Sequence, residues 1–180
     1  ETSGQRRALC VGINDYPNPA ARLHGRVADA EAWEAAFAGL GFSVDRLHDG
    51  AATRAGILRA LEELIVRSRA GDLLAFQYSG HGTTVPDLDG DELSGEDQAI
   101  CPVDFEDGNL LIDDDIRAVL EGLPAGVRLT CFMDNCYSYT NTRMLAGRAM
   151  SAGPRSLPRV VVLSDEVVAR PAEASVTSRR

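Results

Sequence analysis

The chain has 180 residues, a length that suits one domain with a sizeable core, and 44% of them are apolar, as in an ordinary globular protein. Its formal net charge is −9, which disfavours nucleic acid and anionic membrane surfaces as partners and favours cationic ones. No apolar run approaches the roughly 18 residues that a membrane span needs, so no membrane association is expected.

All 18 basic residues are arginine, which together with the abundant alanine points to GC-rich coding. Glu1 to Gly4 lack the charged stretch and apolar core of a signal peptide. The four cysteines, Cys10, Cys101, Cys131 and Cys136, form no close C-x-x-C pair, and the three histidines add no zinc-like spacing. Cys10 and Cys131 lie inside apolar runs and read as buried, inert thiols. A reducing, cytoplasmic setting is the expectation.

In chain order, Arg7 to Ile13 reads as a buried strand closed by the turn Asn14-Asp15-Tyr16-Pro17. Apolar residues at helical spacing from Val27 to Leu40 predict an amphipathic helix stopped by glycine. Phe42 to Leu47 alternates as a strand does. Thr53 is placed to cap a second helix with the apolar face Ile57, Leu58, Leu61, Leu64 and Ile65, broken at Gly71-Asp72. Leu73 to Tyr78 is the next buried strand, and a tight turn, Ser79-Gly80-His81-Gly82, is expected after it. Residues 83–109 read as a long acidic loop, Asp114 to Leu120 as a short helix, and Val127 to Met133 as a strand ending in Asp134-Asn135-Cys136. Residues 141–158 read as a mobile linker, Arg159 to Leu163 as one more strand, and the tail after Pro171 as frayed. Strands alternating with helices predict an α/β sandwich with a mostly parallel sheet. The expected organisation is a single domain over 1–180: a large catalytic part at about 6–140, the linker, and a partial C-terminal part at 159–180.

Ligands of such sheets bind beyond the carboxyl ends of the strands, where His81 and Cys136 both fall. The glycines beside His81 remove bulk next to the ring. A solvated turn histidine is the competing reading. Cys136 lies past its apolar run, beside polar neighbours. A thiol next to a histidine becomes a thiolate near neutral pH, and the thiolate is a nucleophile. A loop thiol without a partner is the alternative there. Asp87 to Asp91 opens like a calcium-binding EF-hand loop but fails at positions 6 and 12, which are Glu92 and Gln98.

Five segments in order resemble the metacaspases, caspase relatives of bacteria, plants, fungi and protists. Tyr78-Ser79-Gly80-His81-Gly82 resembles their histidine motif. Asp134-Asn135-Cys136 resembles the opening of the nucleophile motif Asp-x-Cys-His-Ser-Gly, from which Tyr137-Ser138-Tyr139 departs. Leu9 to Asn14 is similar to the first strand. Leu23 to Ala30 resembles Leu-x-Gly-Cys-x-Asn-Asp-Ala, and Ile100 to Asp104 resembles Ile-x-Pro-x-Asp.

The resemblance implies a caspase-like three-layer sandwich with a mostly parallel central sheet flanked by helices. It implies a cysteine endopeptidase in which His81 and Cys136 form the dyad. The backbone N–H groups of Gly82 and Cys136 would form the oxyanion hole. Asp29 and Asp134 would form the pocket for a basic side chain, so protein or peptide substrates would be cut after arginine or lysine. It further implies a calcium ion held by Asp97, Asp113 and Asp114, and a monomer. Arginines 143, 148, 155 and 159 are candidate self-cleavage sites. The alternative is a degenerate pseudo-protease acting as a binding module, which Tyr137 and Tyr139 favour.

Overall fold

A computed structural model describes residues 4–86, 96–136 and 159–163, with the backbone alone at Glu96, Asp97, Cys136 and the last segment. Among these residues seven strands form one mixed sheet. Strands β1 (Arg6–Gly12), β2 (Ser43–His48), β3 (Leu73–Pro86) and β6 (Arg128–Cys136) make its parallel heart, in the spatial order β2-β1-β3-β6. Strand β7 (Arg159–Leu163) runs antiparallel beside β6. Strand β4 (Glu96–Cys101) pairs antiparallel with the outer half of β3, and β5 (Leu111–Ile112) pairs with β4.

Helix α1 (Arg26–Gly39) covers one face and α2 (Arg54–Val66) and α3 (Asp113–Leu120) the other, which makes three layers. On the α1 side Ala8, Cys10, Phe37 and Ala75 pack with Trp33 and Phe132. The opposite core is larger: Ile57, Leu61, Leu64 and Ile65 of α2 meet Leu9, Val11, Leu74, Phe76 and Leu129 of the sheet. Each such buried aliphatic side chain stabilises the fold by about 1.5–3 kcal/mol. The predicted apolar face of α2 is therefore the observed one, with Leu58 at its margin. Thr53 accepts a hydrogen bond from the Gly56 N–H at 3.0 Å, the expected cap. Helix α1 ends at Gly39, and just past its cap Gly41 takes a φ of 81°, open to glycine at little cost.

Three expectations change. Ser79-Gly80-His81-Gly82 is not a turn: β3 runs through it to Pro86, in register with β6 as far as His81 and Cys136. Asp134-Asn135-Cys136 likewise belongs to β6 rather than following it. The acidic stretch after Gly82 is in part sheet, because β4 folds back on β3. Polar residues can continue a strand where a neighbouring ladder satisfies their backbone groups. The 141–158 linker, Asp87 to Asp91, Tyr137, Tyr139 and the tail after Pro171 lie outside the described residues. No helix among those described is long and apolar enough to cross a membrane.

Candidate active site

Adjacent parallel strands bring together what the sequence separates. In the β3–β6 ladder Ser79 pairs with Asp134, Gly80 with Asn135 and His81 with Cys136. Neighbouring strands lie about 4.8 Å apart, so the backbones at His81 and Cys136 are close.

Two buried tyrosines hold the His81 backbone. The His81 N–H donates to the Tyr16 hydroxyl at 3.0 Å, and the Tyr78 hydroxyl donates to the His81 carbonyl at 2.9 Å. Both hydroxyls also reach the Cys101 carbonyl, at 3.0 and 2.9 Å. Burial pushes both phenols above their ordinary pKa, so they stay protonated donors. The Tyr16 ring lies 4.9 Å from the imidazole, centroid to centroid. The imidazole Nε2 is 2.8 Å from the Ala21 carbonyl. A carbonyl only accepts, so Nε2 carries a proton and the neutral ring has its lone pair on Nδ1. Burial lowers the His81 pKa, and the Arg26 charge adds to that against the Ala21 carbonyl. The ring is therefore neutral, and a base, at neutral pH.

The two glycines have a steric reason in this extended backbone. A Cβ on Gly80 would come within 3.0 Å of the Tyr16 hydroxyl, and one on Gly82 would overlap the Asn135 side chain. Gly82 is in register with Ile100 of β4.

The opening of α1 supplies charge. The Asn14 Oδ1 accepts from the Arg26 N–H at 2.8 Å and so ties the helix start to the end of β1. Gly12 lets the two elements touch: a Cβ there would lie 2.8 Å from the Arg26 carbonyl oxygen. Asp29, in the first turn, and Asp134, at the end of β6, both face Arg26. Arg26 Nη1 is 3.1 Å from Asp134 Oδ2 and 3.6 Å from Asp29 Oδ2. The expected carboxylate pair is thus assembled, but around an arginine of the chain itself. Below it, on the central strand, the polar side chains of Gln77 and Ser79 are buried with no hydrogen-bond partner among the described residues.

The residues expected to hold a metal are only partly gathered. Asp113 and Asp114 open α3, and Asp114 is ion-paired with Arg117. The β4–β5 ladder pairs Ala99 with Ile112, so the backbone of Asp97 lies toward the end of the hairpin where α3 begins. Among the described residues no cluster of three or more histidine, cysteine or acidic side chains could hold a metal. The Ile100–Asp104 segment is scaffold: Ile100, Cys101 and Val103 are buried, and Asp104 accepts from the Arg54 N–H at 2.9 Å, tying the segment to the start of α2.

The sequence singles out His81 and Cys136, which the sheet places in register, but not Tyr16, the Ala21 carbonyl or Arg26, which lie around His81 and the carboxylate pair. Tyr16 was hidden inside a turn signature. A backbone carbonyl has no signature. Arg26 stands where the resembling motif has cysteine, and that departure was the available signal.

Residues 6–144 match the family profile described as metacaspase, peptidase C14 domain. Metacaspase-1 of Scheffersomyces stipitis is 38% identical over 149 residues, covering 77% of this chain and 37% of the relative. Metacaspase-1 of Coccidioides immitis is 40% identical over 148 residues, covering 76% and 32%. The chain therefore spans about a third of the length of these curated relatives. The crystal structure of a protein from Geobacter sulfurreducens matches with a TM-score of 0.65 at 37% identity, covering 79% of this chain and 54% of that one.

Proposed function

Because the chain belongs to the metacaspase family and has its caspase-like sandwich, we propose that it is a cysteine endopeptidase with His81 and Cys136 as its dyad. The observation that carries this reading is the in-register pairing of these two residues on adjacent parallel strands, at the point where β6 ends against β3. Positions in register share a sheet face.

The chemistry follows from the groups present. His81 Nδ1 takes the Cys136 proton, and the thiolate attacks the scissile carbonyl carbon. Backbone N–H groups of Gly82 and Cys136 receive the charge that develops on the carbonyl oxygen. The carbon–nitrogen bond breaks, and the imidazolium returns its proton to the leaving amine. Water, with His81 as base, then hydrolyses the thioester and frees the enzyme. A neutral His81 at rest suits the first step.

Asp29 and Asp134 support a preference for arginine or lysine on the amino side of the cut, since a guanidinium binds carboxylates with strong, charge-assisted hydrogen bonds. Calcium regulation through Asp97, Asp113 and Asp114 belongs to the same reading. Carboxylate oxygens suit that hard ion, which would supply fixed positive charge beside the β4–β5 hairpin. Self-cleavage would fall after Arg143, Arg148 or Arg155. Arg159 is a weaker candidate because it is paired with Met133 in the sheet.

One experiment tests the whole. A fluorogenic arginyl peptide is incubated with the protein, with and without calcium, while intact mass is followed. Hydrolysis is expected, and Cys136→Ala and His81→Ala should each lower kcat/KM by at least about a thousandfold. Chain fragments should appear only with the intact dyad. Undiminished hydrolysis by Cys136→Ala would refute the peptidase reading. Peptide binding without any hydrolysis would favour the pseudo-protease.

A further inference from the structure

The subsite proposed for a basic side chain already holds one. Arg26 places Nη1 3.1 Å from Asp134 and 3.6 Å from Asp29, and neither carboxylate has another cationic partner among the described residues. The arginine is the more covered of the three, its side chain 17% exposed against 27% for Asp134 and 47% for Asp29. Solvent, and hence a substrate, reaches the two acidic side chains more readily than it reaches the Arg26 side chain.

Building on the reading of this pair as the substrate subsite, we propose that Arg26 is a specificity-determining residue, a built-in competitor whose guanidinium a substrate arginine must displace from Asp29 and Asp134. The main chain of Arg26 has no room to retreat. Its N–H is held by Asn14 at 2.8 Å, and its carbonyl oxygen lies against Gly12, so only the side chain can turn away. With Arg26 in place the trio carries one net negative charge, and an incoming guanidinium meets a like charge at close range. With Arg26 turned out, both carboxylates are available. Like-charge juxtaposition is how an interface rejects a partner that shape alone would admit. The charge of Arg26 is also felt at His81, where it helps to keep the ring neutral.

Binding can be read without catalysis. In a Cys136→Ala background, isothermal titration calorimetry compares an arginyl peptide amide with its citrulline counterpart, the neutral analogue of similar shape. Arg26→Gln should tighten the arginyl peptide by about tenfold or more and leave the citrulline peptide within about twofold. No tightening, or equal tightening of both peptides, would overturn the proposal. Should Arg26→Gln not fold, a crystal structure of the Cys136→Ala protein with the arginyl peptide decides the matter. The peptide guanidinium on Asp29 and Asp134 with Arg26 turned away supports it, and Arg26 still seated on Asp134 defeats it. Failure of the peptidase reading would show separately, as absence of hydrolysis by the unsubstituted enzyme on either peptide.

Discussion

Three of the four thiols are chemically quiet for a common reason. Cys10, Cys101 and Cys131 are buried, and loss of solvation pushes each to about 12, with Glu34 adding to the effect at Cys10. A thiol at that value is almost wholly protonated near neutral pH and reacts slowly with electrophiles. Brief iodoacetamide treatment of the native protein at pH 7.5 should therefore label one site, Cys136, and the other three only after unfolding. Peptide mapping by mass spectrometry would check this, and early labelling of Cys131 would contradict it. The quiet of Cys10 and Cys131 was legible in the sequence, because both sit inside apolar runs. The proposed pair, His81 and Cys136, could also be singled out from sequence, because glycines and polar residues follow the apolar runs that end at Tyr78 and Met133. The pairing of Arg26 was not legible, since its partners lie three residues along its own helix and on a distant strand, and only the fold brings Asp134 to it.

The helices were the easiest elements to read. The face Ile57, Leu61, Leu64 and Ile65 repeats at helical spacing, and Thr53 marks its start. The strand ends were harder. Apolar patterning stops at Tyr78 and Met133, yet β3 and β6 continue through polar residues because each supplies the other's ladder. Strand β4 was missed because Glu96, Asp97 and Gln98 carry no apolar alternation; its pairing with Thr84 to Pro86 is a tertiary fact. One sequence signal, glycine, had a meaning only packing reveals. Gly12 brings β1 against α1, and a Cβ there would meet the Ala30 Cβ at 2.8 Å and the Val27 Cα at 2.9 Å. The Gly12→Ala protein should be about 1–3 kcal/mol less stable in urea unfolding, the usual cost of overpacking. Gly39→Ala, at a helical position with nothing within 4 Å, should be neutral or gain up to about 1 kcal/mol. Equal effects at the two sites would mean that the contact between β1 and α1 is looser than described.

At the scale of the whole molecule, two ionisable groups, the half-buried His81 and the buried Asp72, couple folding to pH in separate windows. His81 is held below its ordinary pKa, chiefly by burial. The unfolded chain therefore binds a proton that the native ring resists, and the stability this gives is present above the unfolded value of about 6.5 and lost as pH falls through the native one. Asp72 acts lower down. Burial alone would raise its carboxyl, but the N–H groups of Gln5 and Arg69, with the charges of Arg7 and Arg69, hold it below the usual range. Its oxygens accept from Gln5 at 2.7 Å and from Arg7 and Arg69 at 3.1 Å, and its own carbonyl accepts from the Arg128 N–H at 3.2 Å. One residue thus joins the starts of β1, β3 and β6, at the end of the sheet opposite His81 and Cys136. Its contribution is present above the unfolded value of about 3.9 and lost as the pH falls through the native one. The signs agree, so stability should climb with pH in two stages, one ending near neutrality and one in the carboxylate range. Urea midpoints between pH 3 and pH 8 would resolve them. His81→Gln should flatten the upper stage and leave the lower. Asp72→Asn should lower stability at every pH above the carboxylate range and shrink the lower stage, while the other carboxylates keep part of it. An upper stage unchanged in His81→Gln would mean that the half-buried imidazole is not what links the fold to mild acid.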